Sequence, residues 1–142
     1  MAQKSEIFVD SNFFISLSNL EDSQHKRAVR IKKKVISQHC CIVITNLIFL
    51  EIVTVLSQRT GRQEAISLGE ELLSDESVKV IHINPKLHNL SWKVFKEVSR
   101  KNTSFVDCSS IAVMGAEGID KFLTFDNEDF APLRRKYKFS FF

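Results

Sequence analysis

Short apolar runs that alternate with longer amphipathic segments are the feature that most limits the fold of this sequence. Runs at residues 7–9, 41–44, 78–83, 121–125 and 138–142 predict strands. Segments with apolar residues at helical spacing predict helices at 13–20, 23–38, 47–59, 62–73, 87–100 and 105–116. Strands that alternate with helices indicate an α/β fold with a mainly parallel sheet.

The length and composition indicate one domain, residues 1–142. The chain has 142 residues, of which 44% are hydrophobic, and this is enough for one sizeable core but short for two. Four Gly and two Pro leave no linker or low-complexity segment. A net charge of +3 does not by itself indicate a nucleic-acid partner.

The cysteines and the N-terminal sequence predict a cytoplasmic protein. Three cysteines are an odd number, and Cys40 and Cys41 are adjacent, so no disulfide framework is expected. The first residues lack a basic region followed by a long apolar segment, and polar residues interrupt the longest apolar stretch, residues 40–56. We expect neither a signal peptide nor a membrane span.

Four carboxylates lie in apolar surroundings, where an unpaired charge is costly. They are Asp10 after the first strand, Glu51 inside an apolar helix, Asp107 at the start of another helix and Asp126 after a later strand. Taken singly, Asp10 and Asp126 fit helix caps or turns, Asp107 fits a first-turn acid, and Glu51 is as consistent with a Lys or Arg partner as with a site.

Taken together, the four acids predict a site. Ligands of open parallel sheets bind at the carboxyl ends of the strands, where Asp10 and Asp126 are placed and where the helices carrying Glu51 and Asp107 begin. Clustered carboxylates repel one another unless a cation neutralises them. An all-oxygen set, with no histidine or cysteine at ligand spacing, favours Mg²⁺ or Mn²⁺, which suits hydrolysis of a phosphodiester by a metal-activated water.

The segments that carry these acids resemble the motifs of the PIN-domain ribonucleases, and among them the compact VapC-like toxins of toxin–antitoxin pairs. Residues 7–12 (IFVDSN) resemble the opening strand with its D-[TS]-[NS] motif, and residues 45–51 resemble the second motif, which ends at Glu51. Residues 104–107 (SFVD) resemble the S-x-x-D motif, and residues 123–130 (LTFDNEDF) resemble the closing L-T-x-D-x-D-F motif. The four motifs occur in order across nearly the whole chain.

The resemblance implies a metal-dependent endoribonuclease that is the toxin of a type II toxin–antitoxin system. It implies a five-stranded sheet in the order 3-2-1-4-5 flanked by helices, an Mg²⁺ or Mn²⁺ cofactor, an RNA substrate, a homodimer and a small antitoxin partner. It assigns Asp10, Glu51, Asp107 and Asp126 as both the catalytic and the metal-binding residues. Two of them would hold a metal directly and the others would position waters or a second ion, and the products would carry a 5′-phosphate and a 3′-hydroxyl.

Several neighbouring residues have two interpretations. Asn12 either caps the first helix or hydrogen-bonds a metal-bound water, and Asp129 is a candidate outer-shell acid. Thr45 and Ser104 either orient a carboxylate or cap a helix. Two basic runs, at residues 26–34 and 134–138, either contact RNA phosphates or form a solvated face. Among twelve Phe, those at 13, 14, 139, 141 and 142 suggest a dimer interface or an antitoxin groove.

Other functional classes explain less of the sequence. A haloacid-dehalogenase-like phosphatase requires a second Asp at position 12, where this chain has Asn12. A receiver domain does not explain Glu51 and Asp107 within helices. A catalytically silent PIN-fold module that binds RNA or protein is the alternative that the sequence leaves open.

Overall fold

A five-stranded sheet organises the computed structural model, which describes residues 4–142. The strands are β1 (Glu6–Val9), β2 (Cys41–Thr45), β3 (Val78–Ile81), β4 (Lys121–Leu123) and β5 (Ser140–Phe141). Their order is β3-β2-β1-β4-β5, and every neighbouring pair is parallel. The predicted α/β class, parallel sheet and strand order are confirmed.

Helices cover both faces of the sheet. The longer ones are α1 (Ser11–Ser18), α2 (His25–Ser37), α3 (Asn46–Arg59), α4 (Arg62–Ser74), α5 (Pro85–Glu97) and α6 (Phe105–Glu117). Two four-residue helices, α7 (Asn127–Phe130) and α8 (Arg134–Tyr137), flank a 3₁₀ turn at Ala131–Leu133. The hydrophobic periodicity predicts no helix between 126 and 137, because a single helical turn is too short to show a period.

The central strands are buried because helices cover them on both sides. In β1, the side chains of Ile7, Phe8 and Val9 are fully buried, and in β4 Phe122 is fully buried too. Phe122 meets the ring of Phe130 edge to face, with 4.7 Å between the centroids. This packing of uninterrupted apolar strands fixes the position of the strand ends, from which the polar residues of the site extend.

Caps define where the helices begin. Thr45 caps α3 by accepting a hydrogen bond from the Ile48 amide, so the capping interpretation of Thr45 is confirmed. Asn84 caps α5 in the same way, and Pro85 occupies the first turn. Gly118 ends α6 in the left-handed conformation, with φ of 69°, which costs a glycine little. The predicted bounds of the six long helices differ from the observed ones by at most three residues.

The exposure of the apolar residues qualifies two expectations. Phe13, Phe14 and Phe139 are 2%, 3% and 7% exposed, so they pack mainly in the core, although Phe13 and Phe14 also line an apolar groove between α1, α2 and α4. The helical spacing of residues 23–38 places Ala28, Ile31, Val35 and Ile36 on one apolar stripe, but Ile36 is 62% exposed. The cause is geometric, because α2 is buried along a narrow line through Ala28 and Val35, and Ile36 lies beside that line.

The cysteines and the lengths of the apolar helices are two further features of the fold. Cys40, Cys41 and Cys108 are all free thiols. Over residues 4–142, none of the helices combines the length and the apolar character needed to cross a bilayer.

Candidate active site

An open acidic groove lies at the carboxyl edge of the sheet. It has a volume of about 340 Å³ and is lined by residues of α1 and α3 and of the segments around positions 10, 22, 107 and 126. All four sequence-predicted acids line it: Asp10, Glu51, Asp107 and Asp126. Residues separated by up to 116 positions therefore meet because parallel strands end, and the next helices begin, at the same edge.

Asp10 is the most buried of these acids. It follows β1 directly, caps α1 and is only 4% exposed. Its Oδ1 accepts a hydrogen bond from the Ser11 amide at 2.8 Å, and its Oδ2 accepts one from the Thr124 hydroxyl at 2.8 Å. Burial, aided by the nearby carboxylates of Asp107 and Glu51, raises the pKa of Asp10 to about 7, although both hydrogen bonds oppose the shift.

Thr124 and Asn12 connect Asp10 to Asp126. The Thr124 hydroxyl accepts hydrogen bonds from the Asp126 amide at 3.1 Å and from Asn12 Nδ2 at 3.2 Å. Asn12 Nδ2 also lies 3.2 Å from Asp126 Oδ2, and Asn12 Oδ1 accepts from the Phe125 amide at 3.1 Å. Asn12 therefore joins the segment after β1 to the segment after β4, rather than capping α1, which Asp10 does.

Glu51 reaches the groove from the second turn of α3. Its carboxylate accepts a hydrogen bond from the Ser11 hydroxyl. Val55 and Arg59, which follow Glu51 at intervals of four residues, line the same groove, so one face of α3 forms a wall. The apolar neighbours of Glu51 in sequence are explained by the adjoining face of α3, on which Ile48, Ile52 and Leu56 are fully buried.

Asp107 is held by the N-terminus of α6. The Ser104 hydroxyl accepts a hydrogen bond from the Asp107 amide at 3.1 Å, and Asp107 Oδ2 accepts one from the Ser104 amide at 2.9 Å. This reciprocal pair is a capping box. Ser104 thus both caps the helix and orients the carboxylate. Burial raises the pKa of Asp107 against these two hydrogen bonds, and the charges of Glu51 and Asp126 add to the increase.

Asp126 lies at the exposed rim of the groove, immediately before α7. It also lines a second cavity of about 410 Å³, which contains the candidate outer-shell residue Asp129. Asp129 does not line the groove itself, whereas Asn12 does. Of the two outer-shell candidates, Asn12 therefore lines the groove with the four acids, and Asp129 lines the neighbouring cavity.

No basic side chain neutralises the acids. Between residues 4 and 142, the single ion pair within 4.0 Å joins Lys136 to Glu97, neither of which lines the groove. Arg59 lines the groove but is exposed and forms no such pair in the described part of the chain. Burial is the main cause of the raised pKa values of Asp10 and Asp107, and the neighbouring carboxylates, which no ion-paired cation offsets, add to the increase.

The donor set fits a hard divalent cation in its chemistry. The groove contains carboxylate, hydroxyl and amide groups and neither His nor Cys, which is the set that Mg²⁺ and Mn²⁺ prefer. As they stand, however, no three acidic, His or Cys side chains of residues 4–142 are grouped closely enough to hold an ion. Two of the acids have hydrogen-bond partners within the chain, since the Glu51 carboxylate accepts a bond from the Ser11 hydroxyl and the Asp107 carboxylate accepts one from the Ser104 amide.

Three residues have roles at the site that the sequence pattern does not assign: Ser11 and Arg59, which line the groove, and Thr124, which hydrogen-bonds Asp10. Ser11 and Thr124 stand inside the quoted motifs, one residue after Asp10 and two before Asp126, so the motifs contain their signal. Arg59 gives a weaker signal, since it lies two helical turns beyond Glu51 on the same face. The path of α3 along the groove is what shows that, among the exposed Lys and Arg side chains, Arg59 belongs to the site.

Comparisons with known proteins agree with this architecture. The sequence matches the PIN domain family over residues 7–136. It is 31% identical over 122 residues to the 23S rRNA-specific endonuclease VapC20 of Mycobacterium tuberculosis, covering 86% of this chain and 90% of that protein.

Solved structures agree as well. The crystal structure of M. tuberculosis VapC20, described as a sarcin–ricin loop cleaving toxin, superposes with a TM-score of 0.76 at 28% identity, covering 89% of this chain and 94% of that one. A toxin–antitoxin complex from Klebsiella pneumoniae shares the fold, with a TM-score of 0.63 at 16% identity over 88% and 90% of the two chains. The matching sequence, sheet order and structures show that this chain belongs to the PIN domain family and is similar to the VapC toxins.

Proposed function

We propose that this protein is a metal-dependent endoribonuclease and the toxin of a toxin–antitoxin pair. The observation that carries the proposal is the convergence of Asp10, Glu51, Asp107 and Asp126 on one groove without a counter-charge. Membership of the PIN domain family and the similarity to VapC20, which is named as an rRNA endonuclease, support the same chemistry. Ribosomal RNA is accordingly the first substrate to test.

The four acids have distinct tasks in this proposal. Asp10 and Asp107 would hold the cation, because Asp10 is fixed by two close hydrogen bonds and Asp107 by the capping box of α6, while Glu51 and Asp126 would position waters or a second ion. Bound Mg²⁺ or Mn²⁺ supplies Lewis-acid activation of water and of the phosphodiester. Ser11, Thr124 and Ser104 orient the carboxylates, and Arg59 attracts the RNA backbone to the end of an otherwise acidic groove.

Cleavage by chelator-stripped protein tests the proposal. An rRNA fragment and intact ribosomes are incubated with the protein before and after addition of Mg²⁺ or Mn²⁺. We expect metal-restored cleavage that falls at least about 100-fold in Asp107→Asn, as removal of a metal ligand predicts. Asp120→Asn is the matched control, because it removes the same charge from an exposed position before β4, at the opposite edge of the sheet.

Two outcomes contradict the proposal. Undiminished cleavage by both Asp10→Asn and Asp107→Asn shows that the acids are not catalytic. Binding of RNA without cleavage in either metal favours the silent binding module instead.

We infer that a small antitoxin occupies the apolar groove between α1, α2 and α4. This groove of about 440 Å³ includes Phe14, Leu17, Val35, Ile36 and Leu72, and such a surface suits the apolar face of an added peptide segment. The Klebsiella relative is described as a toxin–antitoxin complex, which supports this kind of partner. Ile36→Glu is expected to abolish co-purification with the product of an adjacent small gene, whereas Leu73→Ala, also exposed, leaves it intact.

We also propose a homodimer in the cytoplasm. Trp92 and Phe95 on α5 stack with their centroids 5.6 Å apart and remain 50% and 39% exposed, so a second copy would bury a ready apolar surface. Three free thiols agree with a reducing compartment. Sedimentation velocity is expected to show a dimer that Trp92→Ala weakens and Leu20→Ala does not, and a monomer at all concentrations contradicts it.

A further inference from the structure

The second cavity at Asp126 has the features of a nucleobase subsite. It is lined by Arg27, Phe125, Asp126, Asn127, Glu128 and Asp129. Because Asp126 also lines the catalytic groove, the two spaces adjoin. An RNA strand that places its scissile phosphate in the groove therefore brings a neighbouring nucleotide to this cavity.

Arg27 and Phe125 lie against each other on one side of the cavity. The Arg27 guanidinium carbon lies 4.7 Å from the centroid of the Phe125 ring, over its face, and both side chains are half-buried. Asn12 accepts a hydrogen bond from the Phe125 amide, and the Phe13 ring packs edge-on against Phe125 with 6.2 Å between the centroids. The pair is thus held in place by its neighbours, and aromatic rings and arginine guanidinium groups are both surfaces on which RNA bases stack.

The charges of the lining decide which part of a nucleotide enters. One cation, Arg27, faces three carboxylates, those of Asp126, Glu128 and Asp129. This balance repels a phosphate but accepts hydrogen bonds from a base that presents N–H groups. Adenine, cytosine and guanine carry an exocyclic amino group, whereas uracil places carbonyl oxygens on both sides of its one N–H and would set them against the carboxylates.

We propose that this cavity binds the base of a nucleotide next to the cleaved bond and selects an amino-bearing base over uracil. Arg27 and Phe125 provide the stacking surface, and Glu128 and Asp129 accept hydrogen bonds from the amino group. The inference rests on the proposed ribonuclease function and assigns part of its substrate specificity.

Cleavage of a randomised RNA pool, followed by sequencing of the new ends, tests the selection. Wild-type protein is expected to disfavour uracil at one position close to the cut. Phe125→Leu and Arg27→Ala are expected to remove that bias and to raise KM about tenfold, which corresponds to about 1.4 kcal/mol. Both are expected to keep the requirement for metal, and Phe125→Tyr is expected to keep the bias.

Arg30→Ala is the matched control, because Arg30 is exposed on the same helix and carries the same charge. A loss of bias in Arg30→Ala equal to that in Arg27→Ala would mean that general charge, not stacking, decides the effect. An unchanged bias in both Phe125→Leu and Arg27→Ala, with cleavage still dependent on metal, overturns the subsite and leaves the nuclease assignment intact.

A binding measurement separates the subsite from catalysis. Short RNAs that carry the fluorescent base 2-aminopurine are titrated into Asp107→Asn protein, which keeps Arg27 and Phe125 but is not expected to cut. Stacking is expected to quench the fluorescence, and addition of Phe125→Leu to this background is expected to weaken the quenching about tenfold. Equal quenching with and without Phe125→Leu contradicts the subsite, whichever way the cleavage experiment turns out.

Discussion

At the scale of single residues, Asp10 has the property that most distinguishes the site. Its pKa rises from 3.8 to about 7 in the folded, metal-free protein, first because it is buried and then because Asp107 and Glu51 lie nearby. Between these two values the folded protein holds a proton that the unfolded chain has lost. The stability contributed by this proton is therefore complete below about pH 4 and is lost as the pH rises through about 7.

Asp10→Asn is expected to remove this loss of stability with rising pH, since an amide does not ionise. In the presence of a chelator, the melting temperature of Asp10→Asn minus that of the wild type is expected to increase from pH 5 to pH 8. Thermal unfolding at four pH values checks this. A difference that stays flat with pH would mean that Asp10 keeps an ordinary pKa.

The Thr124 hydroxyl donates a hydrogen bond to the Asp10 carboxylate and thereby lowers the pKa of Asp10. Thr124→Val keeps the shape of the side chain but removes the bond to Asp10 Oδ2 and leaves the Asp126 amide without an acceptor. We expect a loss of about 1–3 kcal/mol in the free energy of unfolding, as for a buried polar group left unpaired. Urea unfolding measures it. The pKa of Asp10 is expected to rise further, so the acidic limb of the pH–rate profile moves to higher pH, whereas Thr124→Ser leaves both unchanged.

At the scale of elements, the N-terminus of α6 presents an acid and stabilises a helix with the same hydrogen bonds. Ser104→Ala removes the acceptor of the Asp107 amide and is expected to cost about 1 kcal/mol of stability. Cleavage is expected to decrease more than stability alone explains, because the Asp107 carboxylate loses its fixed orientation. Urea unfolding and steady-state kinetics of Ser104→Ala and Ser104→Thr separate the two effects, and full activity in Ser104→Ala would show that the cap does not position the acid.

Helices and strands are predicted accurately where their hydrophobic pattern extends over several turns. The helix predicted at 47–59 is observed at Asn46–Arg59, because a continuous apolar stripe and a capping Thr45 define it. The strand predicted at 78–83 ends instead at Ile81, where pairing with β2 stops. Strand ends depend on the length of the neighbouring strand, which a local pattern does not contain.

At the scale of the whole molecule, the proposed function predicts that stability depends on divalent cations bound in the acidic groove. Mg²⁺ or Mn²⁺ that binds only the folded protein is expected to stabilise it by about 2.7 kcal/mol at 100 times the dissociation constant. The shift in melting temperature is expected to be larger at pH 8 than at pH 5, because protons compete for Asp10. Asp107→Asn is expected to reduce the shift and Asp120→Asn to keep it. Equal shifts in all three proteins would place the cation elsewhere.

The sequence alone determined the fold class and singled out the four acids that line the groove. Buried strands and amphipathic helices have periods of their own, and a carboxylate in an apolar run is conspicuous because burying it is costly. The four motifs, in their order, carry the resemblance to the PIN-domain family, and that resemblance implies the order of the strands in the sheet. None of these inferences required knowledge of which side chains touch.

The tertiary structure decided which residues assist the acids. Ser11 bonded to Glu51, Thr124 bridging Asp10 and Asp126, and Arg27 lying over Phe125 each join positions between 2 and 114 residues apart. Hydrogen bonds and stacking depend on distances of a few ångströms, and those distances arise only when parallel strands align their carboxyl ends. The same alignment buries Asp10 and brings Asp107 and Glu51 close to it, so the raised pKa of Asp10 is a property of the folded chain rather than of any segment of it.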